Sequence, residues 1–239
     1  MSMTEILSTE NLVALLTLTF LEIVLGIDNL IFISILVSKT EKAKQSFART
    51  LGLSMALVTR ILLLLSISWV MELTEPAFSL FNHPFSGRDL ILIIGGLFLI
   101  GKSTHEIHDK MEPEDSLEKK SSKKKVPFIS IIIQIALLDI IFSLDSVITA
   151  IGMVNNLPIM ITAIVISMIV MLLSAKSISE FIDKHPTLKI LALSFLLLIG
   201  VMLLADGFGQ HVSKGYIYFA IGFSLFVETL NLKIRAKGK

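Results

Sequence analysis

The chain has 239 residues, 54% of them hydrophobic and only 17% charged, with a mean hydropathy of +0.82; that balance lies beyond an ordinary soluble domain and makes the lipid bilayer the expected solvent. A net charge of +1 gives no basis for a nucleic-acid partner, and the absence of cysteine leaves no disulfide framework or thiolate metal site to argue from.

A membrane span needs about 20 mostly apolar residues, because the hydrocarbon core is about 30 Å thick and a helix rises about 1.5 Å per residue. Seven stretches qualify, near 12–37, 51–71, 90–104, 126–154, 157–175, 188–205 and 216–232. They are continuous apolar runs without the period of two that marks a transmembrane barrel, so the expected fold is an all-α polytopic membrane protein. The opening MSMTEILSTEN has no basic segment of the kind a cleavable signal carries, which predicts that the first span is retained. That span holds the string EIVLGIDN, and the second holds Arg60. The third is the shortest and runs into HEIH at His105 to His108. The polar stretch MEPEDSLEKKSSKKK, acidic and then basic, reads as part of a flexible cytoplasmic linker over about 107–125. The fourth span holds DIIFSLDS, the sixth ends at Asp206 in ADGFG, and the seventh carries Glu228 and Asn231 one helical turn apart.

Lysine and arginine stay on the cytoplasmic side of short loops. Eighteen of them fall after spans one, three, five and seven, against Arg88 and Lys214 on the other side. The count predicts an N-terminus outside, a C-terminus in the cytoplasm and a location in a bacterial cytoplasmic membrane.

Laid over one another at a constant offset of 117, spans one and four match acid for acid: Glu22 on Asp139, Gly26 on Ser143, Asp28 on Asp145 and Asn29 on Ser146. LFLIG at Leu97 to Gly101 also echoes LLLIG at Leu196 to Gly200. Helices separated by three crossings run in opposite directions. The match therefore predicts an inverted three-plus-three repeat, with the first half at about 11–106, the second at about 126–207 and an extra helix at about 214–235.

Both acidic strings fall near the middle of their spans, so four carboxylates are expected close to the midplane. Each costs about 2.5 to 3.5 kcal/mol on insertion scales, which asks for a shared purpose. Crowded carboxylates repel; protons or a divalent cation relieve that repulsion. Oxygen ligands from Glu22, Asp28, Asp139 and Asp145, with Asn29 and Ser146 as neutral donors, form a hard set suited to manganese, calcium or magnesium. All five histidines, His83, His105, His108, His185 and His211, lie in loops or at span ends, against a midplane imidazole site. On an unbroken helix Asp28 points about 120° away from Glu22. Gly26 and Ser143, each two residues before the second acid, are therefore expected to mark a helix break or kink that redirects Asp28 and Asp145. The structural alternative is that the acids pair with Arg60 or with neighbouring helices. Arg60, Asp206, Glu228 and Asn231 are further candidates for a pathway or for proton coupling, Asp206 being more often a turn residue and the Glu228 and Asn231 pair equally readable as interfacial. HEIH reads as an interfacial pair rather than a metal site. No nucleotide loop, nucleophile elbow, zinc-protease or haem motif is present, so an enzyme is not expected.

At EIVLGIDN, at the motif from Asp139 to Ser146, and at ADGFG followed by GYIYFAIGFSLFVETLN, the chain resembles the TerC family of integral membrane proteins. The likeness spans nearly the whole chain. It implies a lysine-exporter type transporter with seven spans, manganese efflux as its activity and an older association with tellurite resistance. It also implies that the family's acidic positions fall on Glu22, Asp28, Asn29, Asp139, Asp145 and Ser146. The metal is cargo, expected to be Mn2+, and no organic cofactor is implied. Export of another solute, such as a cationic amino acid or an oxyanion, and a role as a membrane partner for metallation or insertion of other proteins are the competing expectations.

Overall fold

The computed structural model describes residues 8–80, 83–111, 127–154, 156–210 and 212–237. Along the chain these form α1 (Thr9–Val37), α2 (Lys42–Leu65), α3 (Ile67–Glu72), β1 (Pro76–Leu80), β2 (His83–Ser86), α4 (Gly87–Met111), α5 (Phe128–Met153), α6 (Leu157–Lys184), α7 (Pro186–Gly207) and α8 (Lys214–Lys237). Seven of the helices are long and apolar enough to cross a membrane, all but the six-residue α3. Residues 112–125 of the expected linker lie outside the described residues; 107–111 form the end of α4.

The helices outrun the apolar stretches that announce them. α2 begins at Lys42, nine residues before the expected 51, and stops at Leu65 where Ser66 (φ −90°, ψ 31°) separates it from α3. The early start is a polar segment, KAKQSFART, whose helix needs no hydrocarbon around it. α4 starts at Gly87 rather than 90 because Ser86 and Asp89 form a reciprocal cap: Ser86 N–H donates to Asp89 Oδ2 at 2.9 Å, and Asp89 N–H donates back to Ser86 Oγ at 3.2 Å. α7 ends in a Schellman closure, with Gln210 N–H donating to Ala205 O and Gly209 N–H to Asp206 O, both at 2.9 Å; Gly209 takes the left-handed φ of 74° that this closure requires. The short hairpin of β1 and β2 departs from the expectation of helices alone.

The chain divides into two compact units. The first comprises Met1–Pro76 and Leu117–Asp183 and contains α1, α2, α3, α5 and α6. In it α2 buries Ala48, Gly52, Ala56, Arg60 and Leu64, a stripe at every fourth residue whose small members let α5 pack closely. The second comprises Ala77–Ser116 and Lys184–Lys239, dominated by α4 packed on α7. Those two helices run antiparallel and touch backbone to backbone: a Cβ on Gly96 would lie 2.6 Å from Gly200 O and 2.8 Å from Leu204 N. Gly101 is the residue the LFLIG echo aligns with Gly200. A Cβ on Gly101 would meet nothing within 4 Å, so that echo is not a packing equivalence.

Candidate functional site

α1, α2 and α5 bring three charged side chains together inside the first unit. Glu22 on α1, Arg60 on α2 and Asp139 on α5 are 4%, 2% and 4% exposed. Arg60 Nη1 donates to Glu22 Oε2 in a short charge-assisted hydrogen bond. Its Nε stands 3.6 Å from Asp139 Oδ1, an ion pair too long for a hydrogen bond. The arginine follows from the α2 stripe, which carries it inward at the level of both acids. Two of the acids thus have an internal cation, as the structural alternative expects, and they share a single guanidinium.

The helical face that holds Glu22 continues through Gly26 and Asn29, and that of Asp139 through Ser143 and Ser146, all six buried. Several of their polar atoms have no hydrogen-bond partner: both Asp139 carboxylate oxygens, Asn29 Nδ2, Ser143 Oγ and Arg60 Nε. Ser146 Oγ donates to Ser143 O at 3.2 Å. Thr19 Oγ1 on α1 and Gln134 Oε1 on α5 are likewise buried without a partner. Buried polar atoms left unpaired are costly and rare. Most of the buried polar atoms without a hydrogen-bond partner among the described residues lie on α1, α2 and α5, with Arg88 Nε and Ser103 Oγ on α4 the others.

Of the expected break or kink at Gly26 and Ser143 the break is absent, since α1 and α5 are continuous helices through both positions. An interrupted ladder in hydrocarbon would strand backbone groups, which favours an intact helix. Gly26 serves packing instead, because a Cβ there would collide with Met171 Sδ of α6. With the helices intact, residues 28 and 145 sit about 120° round from 22 and 139 in the backbone register. The side chains of Asp28 and Asp145 lie outside the described residues. Among those described, no three His, Cys, Asp or Glu side chains are grouped to hold a metal ion.

The remaining candidates fall in the second unit. Asp206 is 6% exposed and sits within the last turn of α7, not in a turn beyond it. Glu228 on α8 accepts from Thr187 Oγ1 on α7 and from Asn231 Nδ2, the latter at 3.3 Å. Glu228 and Thr187 border a cleft of about 370 Å³ lined also by Ile190, Ser194, Phe223 and Ser224. In HEIH the exposed His105 faces Asp109 at 3.6 Å, while Glu106, which sequence reasoning passed over, is 3% exposed and holds Lys102 Nζ at 3.2 Å. His185 is the N-cap of α7, and His211 lies outside the described residues. The signal for Glu106 was present: Ser103 and Glu106 continue the buried face of Leu92, Gly96 and Leu99.

Seven membrane-length helices and a charged group buried among three of them define a polytopic α-helical membrane protein. The chain belongs to the integral membrane protein TerC family, matching it over residues 7–237. It is 55% identical over 223 residues to a UPF0053 protein of Haemophilus influenzae, covering 93% of this chain and 94% of that one. It is 54% identical over 220 residues to the UPF0053 inner membrane protein YgdQ of Escherichia coli, covering 92% and 91%. To the UPF0053 inner membrane protein YoaE of Escherichia coli it is 52% identical over 217 residues, 91% of this chain but 42% of that longer protein. No solved structure matches the chain. The relatives' inner-membrane names and the seven apolar helices make it a multi-pass protein of the cytoplasmic membrane.

Proposed function

We propose that the chain is a secondary transporter that exports a divalent metal cation, with Mn2+ the first candidate, in exchange for protons. The observation that carries this reading is Asp139, a carboxylate 4% exposed whose two oxygens have no hydrogen-bond partner, sharing Arg60 with Glu22 and lying one turn before the unpartnered Ser143 hydroxyl. Oxygen donors of this kind suit a hard cation. Asp28, Asp145 and Ser146 complete the proposed ligand set from the matched strings. The inverted repeat and the outside N-terminus belong to the same proposal, since transporters of this symmetry place their sites at the midplane. Moving two charges outward against about 100 mV costs about 4.6 kcal/mol, which calls for a coupled ion. Carboxylates that hold either cation or protons supply that coupling.

An oxyanion substrate is disfavoured, because Arg60, the cation it would need, is already engaged by two carboxylates. A membrane partner protein would have no use for a buried carboxylate whose oxygens accept no hydrogen bond. The test is the cytoplasmic manganese content of cells expressing the chain or its Asp139→Asn variant at equal membrane levels. Lower manganese with the unmodified chain alone supports export; equal manganese in both rejects it.

A further inference from the structure

Resting on the transport reading, we infer that Arg60 is a built-in counter-cation, anchored on Glu22, that covers Asp139 when the carrier is empty and yields Asp139 to the cargo cation when it is loaded.

The two halves of the Arg60 bridge differ. Toward Glu22 the guanidinium makes a short hydrogen bond through Nη1. Toward Asp139 it makes none: Nε and Oδ1 are 3.6 Å apart, and Nε and both carboxylate oxygens lack any hydrogen-bond partner. One contact is a tether and the other is a charge held near a charge. The matched strings treat Glu22 and Asp139 as equivalents, yet the structure gives them different partners and hence different tasks. Glu22 holds the arginine, and Asp139 is left with lone pairs to offer.

A divalent cation arriving at Asp139 repels the guanidinium. Arg60 has a long side chain fastened at its tip, so it can swing from Asp139 without leaving Glu22. When the cation departs, the guanidinium returns and Asp139 is never left bare among apolar helices. An ionised carboxylate at the centre of a span costs about 2.5 to 3.5 kcal/mol. That cost would fall on the reorientation of the empty carrier, and Arg60 removes it. Loaded reorientation does not need Arg60, because the cargo neutralises Asp139 itself.

Net transport requires the metal-free return step, in which the coupled protons ride on the other carboxylates of the site while Arg60 covers Asp139, whereas exchange of cation for cation does not. The experiment compares net manganese efflux with manganese-for-manganese exchange in vesicles holding the purified full chain, at equal pH on both sides and a clamped membrane potential. For Arg60→Gln the expected result is that net efflux falls at least about tenfold relative to exchange. Arg60→Lys should recover part of the net efflux, because it keeps the charge and loses only the planar fork. If Arg60→Gln does not accumulate, the ratio is read from Arg60→Lys instead: a single ammonium held by Glu22 cannot also cover Asp139 as the planar fork does, so net efflux should still fall relative to exchange. A ratio unchanged from that of the unmodified chain, whether both fluxes fall together or both persist, overturns the inference. Absence of either flux from the unmodified chain is a different result and refutes the transport reading itself.

Discussion

Neutralising Glu22 and neutralising Asp139 should have unequal effects on stability. Glu22→Gln removes the carboxylate that takes the hydrogen bond of a guanidinium only 2% exposed. Breaking a buried pair from one side costs about 3 to 5 kcal/mol, and the lower end applies because Asp139 stays near. For Asp139→Asn, the attraction lost at 3.6 Å is about 4 to 5 kcal/mol at an effective dielectric of about 20. Against that, the variant no longer desolvates an ion, worth several kcal/mol, and no longer repels Glu22. The net change should lie within about 1 kcal/mol of zero. At about 2 to 4 °C per kcal/mol for a chain of this size, Glu22→Gln should melt at least about 6 °C lower and Asp139→Asn within about 4 °C of the unmodified protein. The assay is thermal unfolding of the purified proteins in one detergent, with manganese flux measured alongside. Asp139→Asn should be stable and inactive. Equal destabilisation by the two variants, or a larger loss for Asp139→Asn, would refute the unequal division of the Arg60 bridge.

Glycine substitutions separate packing from hinge roles: Gly96→Ala should cost more than about 2 kcal/mol by driving a methyl into the α7 backbone, whereas Gly101→Ala, in open space, should stabilise by up to about 1 kcal/mol, both read by melting. Gly26→Ala should remain close to neutral and transport-competent, because the obstacle is the flexible end of Met171; loss of transport in a folded Gly26→Ala protein would restore the hinge. Asp28→Asn or Asp145→Asn should each abolish metal export while the protein still inserts and folds, and a variant that transports normally removes its residue from the site. Tags at Ser2 and near Gly209 should be reached from outside the cell, and tags at Ser121 and after Lys239 only from the cytoplasm, as the eighteen-to-two charge distribution requires. Both chain ends on one side would exclude the inverted repeat.

The seven spans were legible because the bilayer imposes a length and a composition that the chain obeys. Their ends were not: Lys42 to Thr50 and Ser174 to Lys184 are helical but polar enough to look like loops, and only the Ser86 and Asp89 spacing hinted at the true start of α4. The hairpin carried no alternating pattern to announce it. At the site, the constant offset of 117 selected Glu22, Asn29, Asp139 and Ser146, all of which are buried. The pairing of Arg60 with two of these acids was weighed as an alternative but could not be decided, because it depends on how α2 is rotated against α1 and α5. Small residues spaced four apart set that rotation, and their meaning emerges only with the partner helix in place. The helix break failed for a related reason. A glycine in a span reads as weakness in isolation, whereas in a packed bundle it marks the place where Met171 needs room.

The most direct test of the central claim is manganese flux from vesicles containing the purified chain, at fixed membrane potential and fixed metal gradient, with and without a pH gradient acidic on the side that receives the metal. Export by proton antiport requires flux absent from protein-free vesicles, accelerated by that gradient, slowed by a proton ionophore and lost in Asp139→Asn. Flux no faster than in protein-free vesicles, or flux indifferent to both the gradient and the substitution, would contradict it.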